Sequence, residues 1–175
     1  MIETTRLTIR KMTEKDAFDL FSMRSNPLLH LHTDTAADKT IEDTLNYIHK
    51  MNDGMNQNKW YVWAIELKES KKTIGTISLW NFNEDRTVAE LGFGIHPDLQ
   101  NQGYMSEVLN SLCRHLFDTL SLTRIEAYTE VSNIPCQKLL RRCGFCQTGT
   151  VDDPGFIQNR TFHMMIYTKT NSSVI

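Results

Sequence analysis

The sequence has no marked excess of either charge and no long apolar run. Lys and Arg number 19 against 21 Asp and Glu, which gives a formal net charge of -2, so no basic field attracts nucleic acid or an anionic membrane. No stretch is long enough to span a membrane, and Glu3, Arg6 and Arg10 interrupt the apolar core that a signal peptide needs. We therefore expect a cytoplasmic protein with no nucleic-acid or membrane partner, whose substrate is a small molecule or another protein.

Patterns typical of metal sites are also missing. The four cysteines lie in the C-terminal half and, without an export signal, are expected to be reduced. Cys143 and Cys146 form a C-x-x-C, but they stand at a predicted helix end with no second ligand pair. Among the six histidines only His30 and His32 are closely spaced, and we interpret them as part of a loop. We expect no bound metal.

Hydrophobic periodicity divides the chain into alternating helices and strands. Strands are predicted at residues 5–12, 60–67, 73–80, 87–95, 124–130, 147–151 and 161–168, and helices at 13–24, 40–51, 106–120 and 135–143. Asp53-Gly54 is expected to stop the second helix. Three successive strands with short connections indicate an antiparallel meander, and no repeat or linker divides the chain. We expect residues 1–175 to form one α/β domain with a mixed sheet.

The most informative segment is the polar loop between the fourth strand and the longest helix. Gln100-Asn101-Gln102-Gly103-Tyr104-Met105 leads directly into this helix. The first backbone N–H groups of a helix lack intrahelical partners, and its dipole places partial positive charge there, which suits a diphosphate. Gly103 would let the backbone approach the phosphates. The alternative is that Gly103 only turns the loop, since neither the dinucleotide fingerprint nor the phosphate-loop lysine pattern is present.

A series of short segments occurs in a characteristic order. They are Glu3-Thr4-Thr5-Arg6-Leu7-Thr8-Ile9-Arg10, Asp16-Ala17, Trp63-Ala64-Ile65, Ile74-Gly75-Thr76-Ile77, Ala89-Glu90-Leu91-Gly92-Phe93, Gln100 to Gly103, Arg124-Ile125-Glu126-Ala127, and Asn133 with Cys143-Gly144-Phe145. In this order and spacing the chain resembles the GNAT acetyltransferases, specifically the RimJ/RimL-like branch that acetylates protein N-termini. The resemblance implies an α/β (α+β) GNAT-like fold with a mixed, mostly antiparallel, splayed seven-stranded sheet flanked by about four helices.

The resemblance also implies acetyl-CoA as co-substrate and a set of residues that hold it. The pyrophosphate would contact the loop from Gln100 onward, through the amides of Gln102, Gly103, Tyr104, Met105 and Ser106. The pantetheine arm would lie along the end of the fourth strand, at Phe93, Gly94 and Ile95, with a hydrogen bond to Asn133. Met105 departs from the small residue usual in the family, but a loop that binds through backbone amides tolerates this change.

Glu90 is the candidate for the general base. An amine attacks a thioester only as the free base, and strand alternation places Glu90 on the same face as Gly92 and Gly94, near the expected pantetheine arm. We expect it to act through water. The alternative is an exposed glutamate, or one paired with arginine. A backbone N–H among Phe93 to Ile95 would stabilise the oxyanion.

Proton donation to the departing thiol has a weaker candidate. Some GNAT enzymes use a tyrosine at the position of Leu140, so that acid is missing here. Cys136 stands where the resembling branch usually has serine, and it is either a replacement donor near the CoA sulfur or a small buried residue at a helix start.

These patterns predict an N-acetyltransferase acting by direct transfer. Its acceptor is expected to be a protein N-terminal α-amine. The alternatives are a small amine, such as a polyamine, an amino acid or an aminoglycoside, and a non-catalytic module that binds acetyl-CoA or a protein. Residues 28–40 contain only two acids, Asp34 and Asp38, which argues against a polycation. The resemblance implies a homodimer, which no feature of the chain itself demonstrates.

Overall fold

The computed structural model describes residues 1–171. Their helices are α1 (Ala17–Arg24), α2 (Ile41–Asn56), α3 (Tyr104–Leu120) and α4 (Ile134–Arg142). Their strands are β1 (Ile2–Glu3), β2 (Leu7–Lys11), β3 (Tyr61–Leu67), β4 (Thr73–Trp80), β5 (Val88–Ile95), β6 (Arg124–Glu130), β7 (Cys146–Pro154) and β8 (Thr161–Thr170). Short 3₁₀ turns at Glu14–Asp16, Pro27–His30 and Pro97–Leu99 connect some of them. No helix in this part of the chain is both long and apolar enough to cross a membrane.

All eight strands form one sheet in the order β1-β2-β3-β4-β5-β6-β8-β7. Neighbouring strands pair antiparallel except β5 and β6, which are parallel and joined through α3. The predicted mixed, mostly antiparallel sheet with four helices is therefore confirmed. The strand count of seven was wrong, because β1 is a two-residue strand paired to β2 and is too short to show alternation in the sequence.

Helices cover both faces of the sheet. On one face α3 buries the stripe Val108, Leu109, Leu112 and Leu116 against strand residues such as Ile77 and Leu79. These side chains recur at i, i+4 and i+8, which is the period that brings them to one side of a helix. On the other face α1 and α2 bury Leu20, Met23 and Ile48 against Val62 and Ala64 of β3. Two apolar layers thus hold the sheet and fix the positions of its strand ends.

The predicted stop of α2 at Asp53-Gly54 was wrong, since the helix continues to Asn56. Gly54 lies inside the helix and is buried against Trp60, where an added Cβ would overlap the indole. The glycine is required by this close approach rather than by a helix end. The indole N–H donates to the carbonyl of Met51 (3.0 Å), which fixes the ring over the helix.

Strands β5 and β6 diverge, and this divergence positions the site. Their ladder extends only over Val88–Glu90 and Arg124–Glu126. Beyond it the two strands continue for several residues without pairing to one another, as the family resemblance implies for a splayed sheet. The loop before α3 and the start of α4 lie beyond the open ends of these strands.

Candidate active site

A cleft of about 880 Å³ lies where β5 and β6 diverge. Its walls come from four parts of the chain: the end of β5, the loop into α3, one side of α4 with Asn133 before it, and residues 28–33. Ten of the predicted site residues line it: Phe93, Gly94, Ile95, Gln100, Gly103, Tyr104, Met105, Ser106, Asn133 and Cys136. Glu90 and Gln102 do not line it, although both lie next to residues or elements that do.

The N-terminus of α3 opens into the cleft without a side-chain cap. Gly103 is the N-cap residue, and its φ of 79° lies in the left-handed region that favours glycine. By contrast, the side chains of Thr40 and Asn133 accept hydrogen bonds from the first turns of α2 and α4. The first N–H groups of α3 are therefore available to an anion.

Two arginines lie beside this helix start. Arg142 donates to the Ser106 hydroxyl at 3.1 Å and lines the cleft, so it adds a positive charge to the open N–H groups. Arg6 donates to the Gln102 carbonyl at 3.0 Å and stacks on the Tyr104 ring at 4.4 Å. It pairs with Glu107 as well (2.7 Å), so its charge is largely used in holding the loop in place. The uncapped helix start, the left-handed Gly103 and Arg142 fit the diphosphate of CoA.

The open edge of β5 presents two backbone N–H groups to the cleft. His96 donates to the Ile74 carbonyl of β4 at 2.8 Å. Successive strand residues point their N–H groups to opposite sides, so those of Phe93 and Ile95 point away from β4, toward β6. Since β6 does not pair with this part of β5, these two groups face the divergence. Of the three predicted oxyanion donors, the geometry therefore favours Phe93 and Ile95 over Gly94.

Glu90 occupies the last paired position before the strands diverge. It is in register with Glu126 of β6, and Asn81 donates to its carboxylate at 3.3 Å. Burial raises the pKa of Glu90, and the charges of Glu126 and Asp153 raise it further. Tyr128 donates to Glu126 at 3.1 Å. Glu90 and Glu126 therefore place two carboxylates side by side at the inner end of the divergence.

Asn133 and Cys136 come together at the start of α4. The Asn133 side-chain oxygen accepts from the Cys136 N–H at 3.2 Å, so the asparagine caps the helix. Its side-chain NH₂ has no protein partner in residues 1–171 and stays free for a ligand. Burial raises the pKa of the Cys136 thiol, with the Thr129 hydroxyl acting in the opposite direction. The thiol is therefore protonated at neutral pH and able to donate a hydrogen bond.

Residues 28–33 are the part of the site that sequence reasoning missed. Leu29 lies over Gly94, where an added Cβ would be 3.2 Å from the leucine side chain. His32 and the exposed Leu31 line the cleft. Arg142 was missed too. No local pattern identified any of them, because their contacts are with residues far away in the chain.

The two histidines interpreted as part of a loop differ in environment. His30 is buried, whereas His32 faces the cleft. The cysteines of the C-x-x-C are both free thiols, Cys143 buried and Cys146 exposed. Residues 1–171 contain no group of His, Cys, Asp and Glu side chains suited to a metal ion.

Comparison with known proteins identifies the class. A family model described as an acetyltransferase (GNAT) domain matches residues 6–146. This is most of the chain, and the chain therefore belongs to the GNAT acetyltransferase family, which confirms the resemblance seen in the sequence. It is an acetyl-CoA-dependent N-acetyltransferase.

The chain is also similar to individual proteins, and the solved structures among them share its fold. An uncharacterised N-acetyltransferase of Bacillus subtilis strain 168, YoaA, is 28% identical over 151 residues, covering 86% of this chain and 85% of YoaA. A Salmonella typhimurium acetyltransferase that modifies the N-terminal serine of ribosomal protein L7/L12 superposes with a TM-score of 0.84 at 18% identity, covering 97% of each chain. The spermidine N-acetyltransferase of Vibrio cholerae, solved with CoA and spermine, gives 0.81 at 22% identity, covering 96% of this chain and 97% of its own.

Proposed function

We propose that this chain acts as one catalytic domain that transfers acetyl from acetyl-CoA directly to the α-amine of a protein N-terminus. The observation that carries the proposal is the cleft itself, in which an uncapped helix start and an unpaired strand edge converge. The first suits the diphosphate of CoA and the second suits an extended amide chain. The acceptor amine would then approach from the side of residues 28–33.

Contacts to CoA follow from the free donors in the cleft. The N–H groups at the start of α3, with Arg142, would bind the pyrophosphate. The free Asn133 amide would donate to a pantetheine carbonyl, and the N–H of Phe93 or Ile95 would stabilise the oxyanion that forms during transfer. Gln100 lines the cleft beside the loop, whereas Gln102 would contribute only its backbone amide, because its side chain does not line the cleft and donates to the Asp98 carbonyl at 3.4 Å.

Glu90 is our candidate for activating the acceptor. Since it lies outside the cleft walls, it would act through water, as proton acceptor or by attracting the ammonium group. Its pKa is raised by burial, so the carboxylate is a stronger base than an exposed glutamate. Cys136, whose protonated thiol faces the cleft, would donate to the departing CoA sulfur.

The acceptor side favours a peptide. Leu28 and Leu31 are 59% and 53% exposed at the mouth of the cleft, which suits the apolar parts of a peptide. The acids of this segment are already engaged: Asp34 accepts from the backbone N–H groups of residues 156–158, and Asp38 is paired with Arg24 at 2.7 Å. The segment therefore offers no free carboxylate to a polycation.

A polyamine is the second candidate, and one observation favours it. Glu90 and Glu126 lie in register at the inner end of the divergence, and the charge of Asp153 also acts on Glu90, so a second cationic group of a polyamine could bind there. The two candidates agree with the activities of the Salmonella and Vibrio proteins respectively.

The acceptor is tested by measuring CoA release with a thiol reagent. The substrates are hexapeptides beginning with Ser or Ala, the same peptides with a formylated N-terminus, and spermidine. We expect release with the free peptides, none with the formylated ones, and slower release with spermidine. Faster release with spermidine would identify a polyamine rather than a peptide as the acceptor. Absence of release with every acceptor, together with no binding of acetyl-CoA, would contradict the proposed activity.

Glu90→Gln tests the role of the carboxylate while keeping its size. We expect unchanged acetyl-CoA binding by calorimetry and slower transfer at pH values below the pKa of the acceptor amine. If Glu90 is the base, the wild-type rate falls as the pH drops through its raised pKa, and the Gln variant loses this dependence. Wild-type rates in the variant at every pH would remove Glu90 from the mechanism.

A further inference from the structure

His32 is held in the cleft by a carboxylate from another part of the fold. Its Nδ1 lies 2.9 Å from the Glu130 carboxylate at the end of β6, and the Ser132 hydroxyl lies 3.1 Å from the same oxygen. The imidazole lines the cleft that also contains Phe93 and Cys136. A titratable side chain therefore stands on the acceptor side of the cleft, where the proposed function requires a proton to be removed.

The hydrogen bond to Glu130 determines which ring nitrogen of His32 carries the proton. Arg160 pairs with Glu130 at 2.6 Å and, against the effect of burial, lowers the pKa of this carboxyl to about 2, with further bonds from His32 and Ser132. An ionised carboxylate only accepts hydrogen bonds, so Nδ1 must donate. In the neutral imidazole the lone pair is then on Nε2, which has no protein partner in the described residues 1–171.

His30, two residues before His32, lacks this arrangement. The His30 ring is bonded through both nitrogens, to the Thr35 hydroxyl and to the Arg24 carbonyl, each at 2.7 Å. It is 7% exposed and has no nitrogen left for chemistry. Two residues away, His32 has one nitrogen oriented by a carboxylate and the other unused.

The backbone that carries His32 is fixed by the loop before β8. Arg160 donates both to Glu130 and to the Leu31 carbonyl, the latter at 2.8 Å, so one guanidinium joins the carboxylate to residues 28–33. Gln158 donates to the carbonyls of His30 and Thr33 at 2.8 Å and 2.7 Å. The imidazole is thus positioned from both sides before any substrate binds, as efficient acid–base catalysis requires.

We infer that His32 is a catalytic acid–base residue of this acetyltransferase, oriented by Glu130, and that its Nε2 accepts the proton from the acceptor amine inside the cleft. This inference rests on the proposed function. As the amine nitrogen bonds to the acetyl carbon, the carbon–sulfur bond breaks, one amine proton passes to Nε2, and the thiolate takes its proton from Cys136 or solvent. Glu90 then acts on the positive charge of the acceptor rather than as the base.

The first test needs no acceptor. Diethyl pyrocarbonate acylates neutral imidazoles with an accessible nitrogen, and mass spectrometry reads each histidine separately. We expect modification of His32 that slows severalfold when acetyl-CoA is bound. His163, paired with Asp152 on the exposed β7–β8 hairpin, should react equally with and without the ligand, and His30 should not react. An unreactive His32, or one whose reaction is unaffected by saturating acetyl-CoA, would contradict its position in the cleft.

The second test compares His32→Gln, Glu130→Gln and the control His163→Gln with the wild type. The acceptor is the Ser-terminated hexapeptide, or spermidine if only that is acetylated. We expect His32→Gln to lower kcat/KM about 10²-fold or more, the usual scale of general-base catalysis. It should abolish the acidic limb of the pH–rate profile. His163→Gln should keep both the rate and the limb.

The charged groups around His32 determine how the pH–rate profiles of the variants are interpreted. Glu130 and Arg160 contact it directly or through one another, and Asp98 and Arg142 face the same cleft from the α3 loop and α4. Glu130→Gln should shift the limb rather than remove it, since the imidazole remains. A His32→Gln enzyme that keeps the limb and a rate within about twofold of wild type would overturn the inference. Calorimetry with acetyl-CoA on each variant separates that outcome from failure of the proposed function, in which the wild type itself binds no acetyl-CoA.

Discussion

Replacement of Gly103 tests whether the loop before α3 is a binding site or only a turn. Gly103 has a φ of 79°, whereas proline holds φ near -65° and has no N–H. Gly103→Pro therefore removes one donor and rotates its neighbours away from the cleft. Each N–H bond to a charged group contributes about 1.5–3 kcal/mol. Loss of two such bonds would weaken acetyl-CoA binding about 10²-fold or more.

Gly103→Asn is the matched control. Asparagine is the residue that best tolerates left-handed φ after glycine, and Asn101 in the same loop already has a φ of 61°. An added Cβ would meet the Arg6 guanidinium at 3.5 Å, an ordinary contact, so the side chain has room. We expect the Asn variant to bind acetyl-CoA nearly as the wild type does.

Thermal unfolding with and without acetyl-CoA measures both variants. A ligand at about a hundred times its Kd adds about 2.7 kcal/mol, which corresponds to roughly 5–10 °C for a domain of this size. The wild type and Gly103→Asn should show this rise, and Gly103→Pro should not. Circular dichroism of the ligand-free proteins controls for unfolding of α3. A full rise in a folded Gly103→Pro protein would refute the assignment of the loop to the pyrophosphate.

Two further predictions concern stability. Gly54→Ala should lower the free energy of unfolding in urea by about 1–3 kcal/mol, because its Cβ would overlap the Trp60 ring. The same substitution should cost less in a Trp60→Leu background. An equal cost in both backgrounds would contradict this explanation. Burial disfavours the ionised form of Asp16, but hydrogen bonds from Arg10 and Thr73 stabilise it and lower its pKa from 3.8 to about 2. Because this folded pKa is lowered, the stabilisation is present above pH ~4 and is lost as the pH falls toward ~2. Asp16→Asn should therefore lower the free energy of unfolding by about 2 kcal/mol at pH 7 and make it depend less on pH between ~4 and ~2. An unchanged pH dependence would exclude the Asp16 carboxyl as its source.

The element types could be predicted because they depend on local periodicity. The apolar stripe of α3 and the alternation of β4 and β6 are properties of consecutive residues, and the structure gives β4 and β6 the predicted bounds. Gly54 shows the limit of such reasoning. The sequence predicts a helix stop there, but in the structure Gly54 lies within α2, where Trp60 from the following segment packs against it. The local propensity of glycine did not predict this contact with a residue outside the helix.

The sequence by itself determined the fold class, the family and the loop at the start of α3, because these are written in order, spacing and residue type along the chain. Only the tertiary structure brought His32 next to Glu130, 98 positions away, and Arg142 next to Ser106, 36 positions away. It also separated Glu90 from the cleft walls and distinguished His30 from His32. The physical reason is that hydrogen bonds and burial depend on distances between segments, and these are set by the packing of helices on both faces of a divergent sheet.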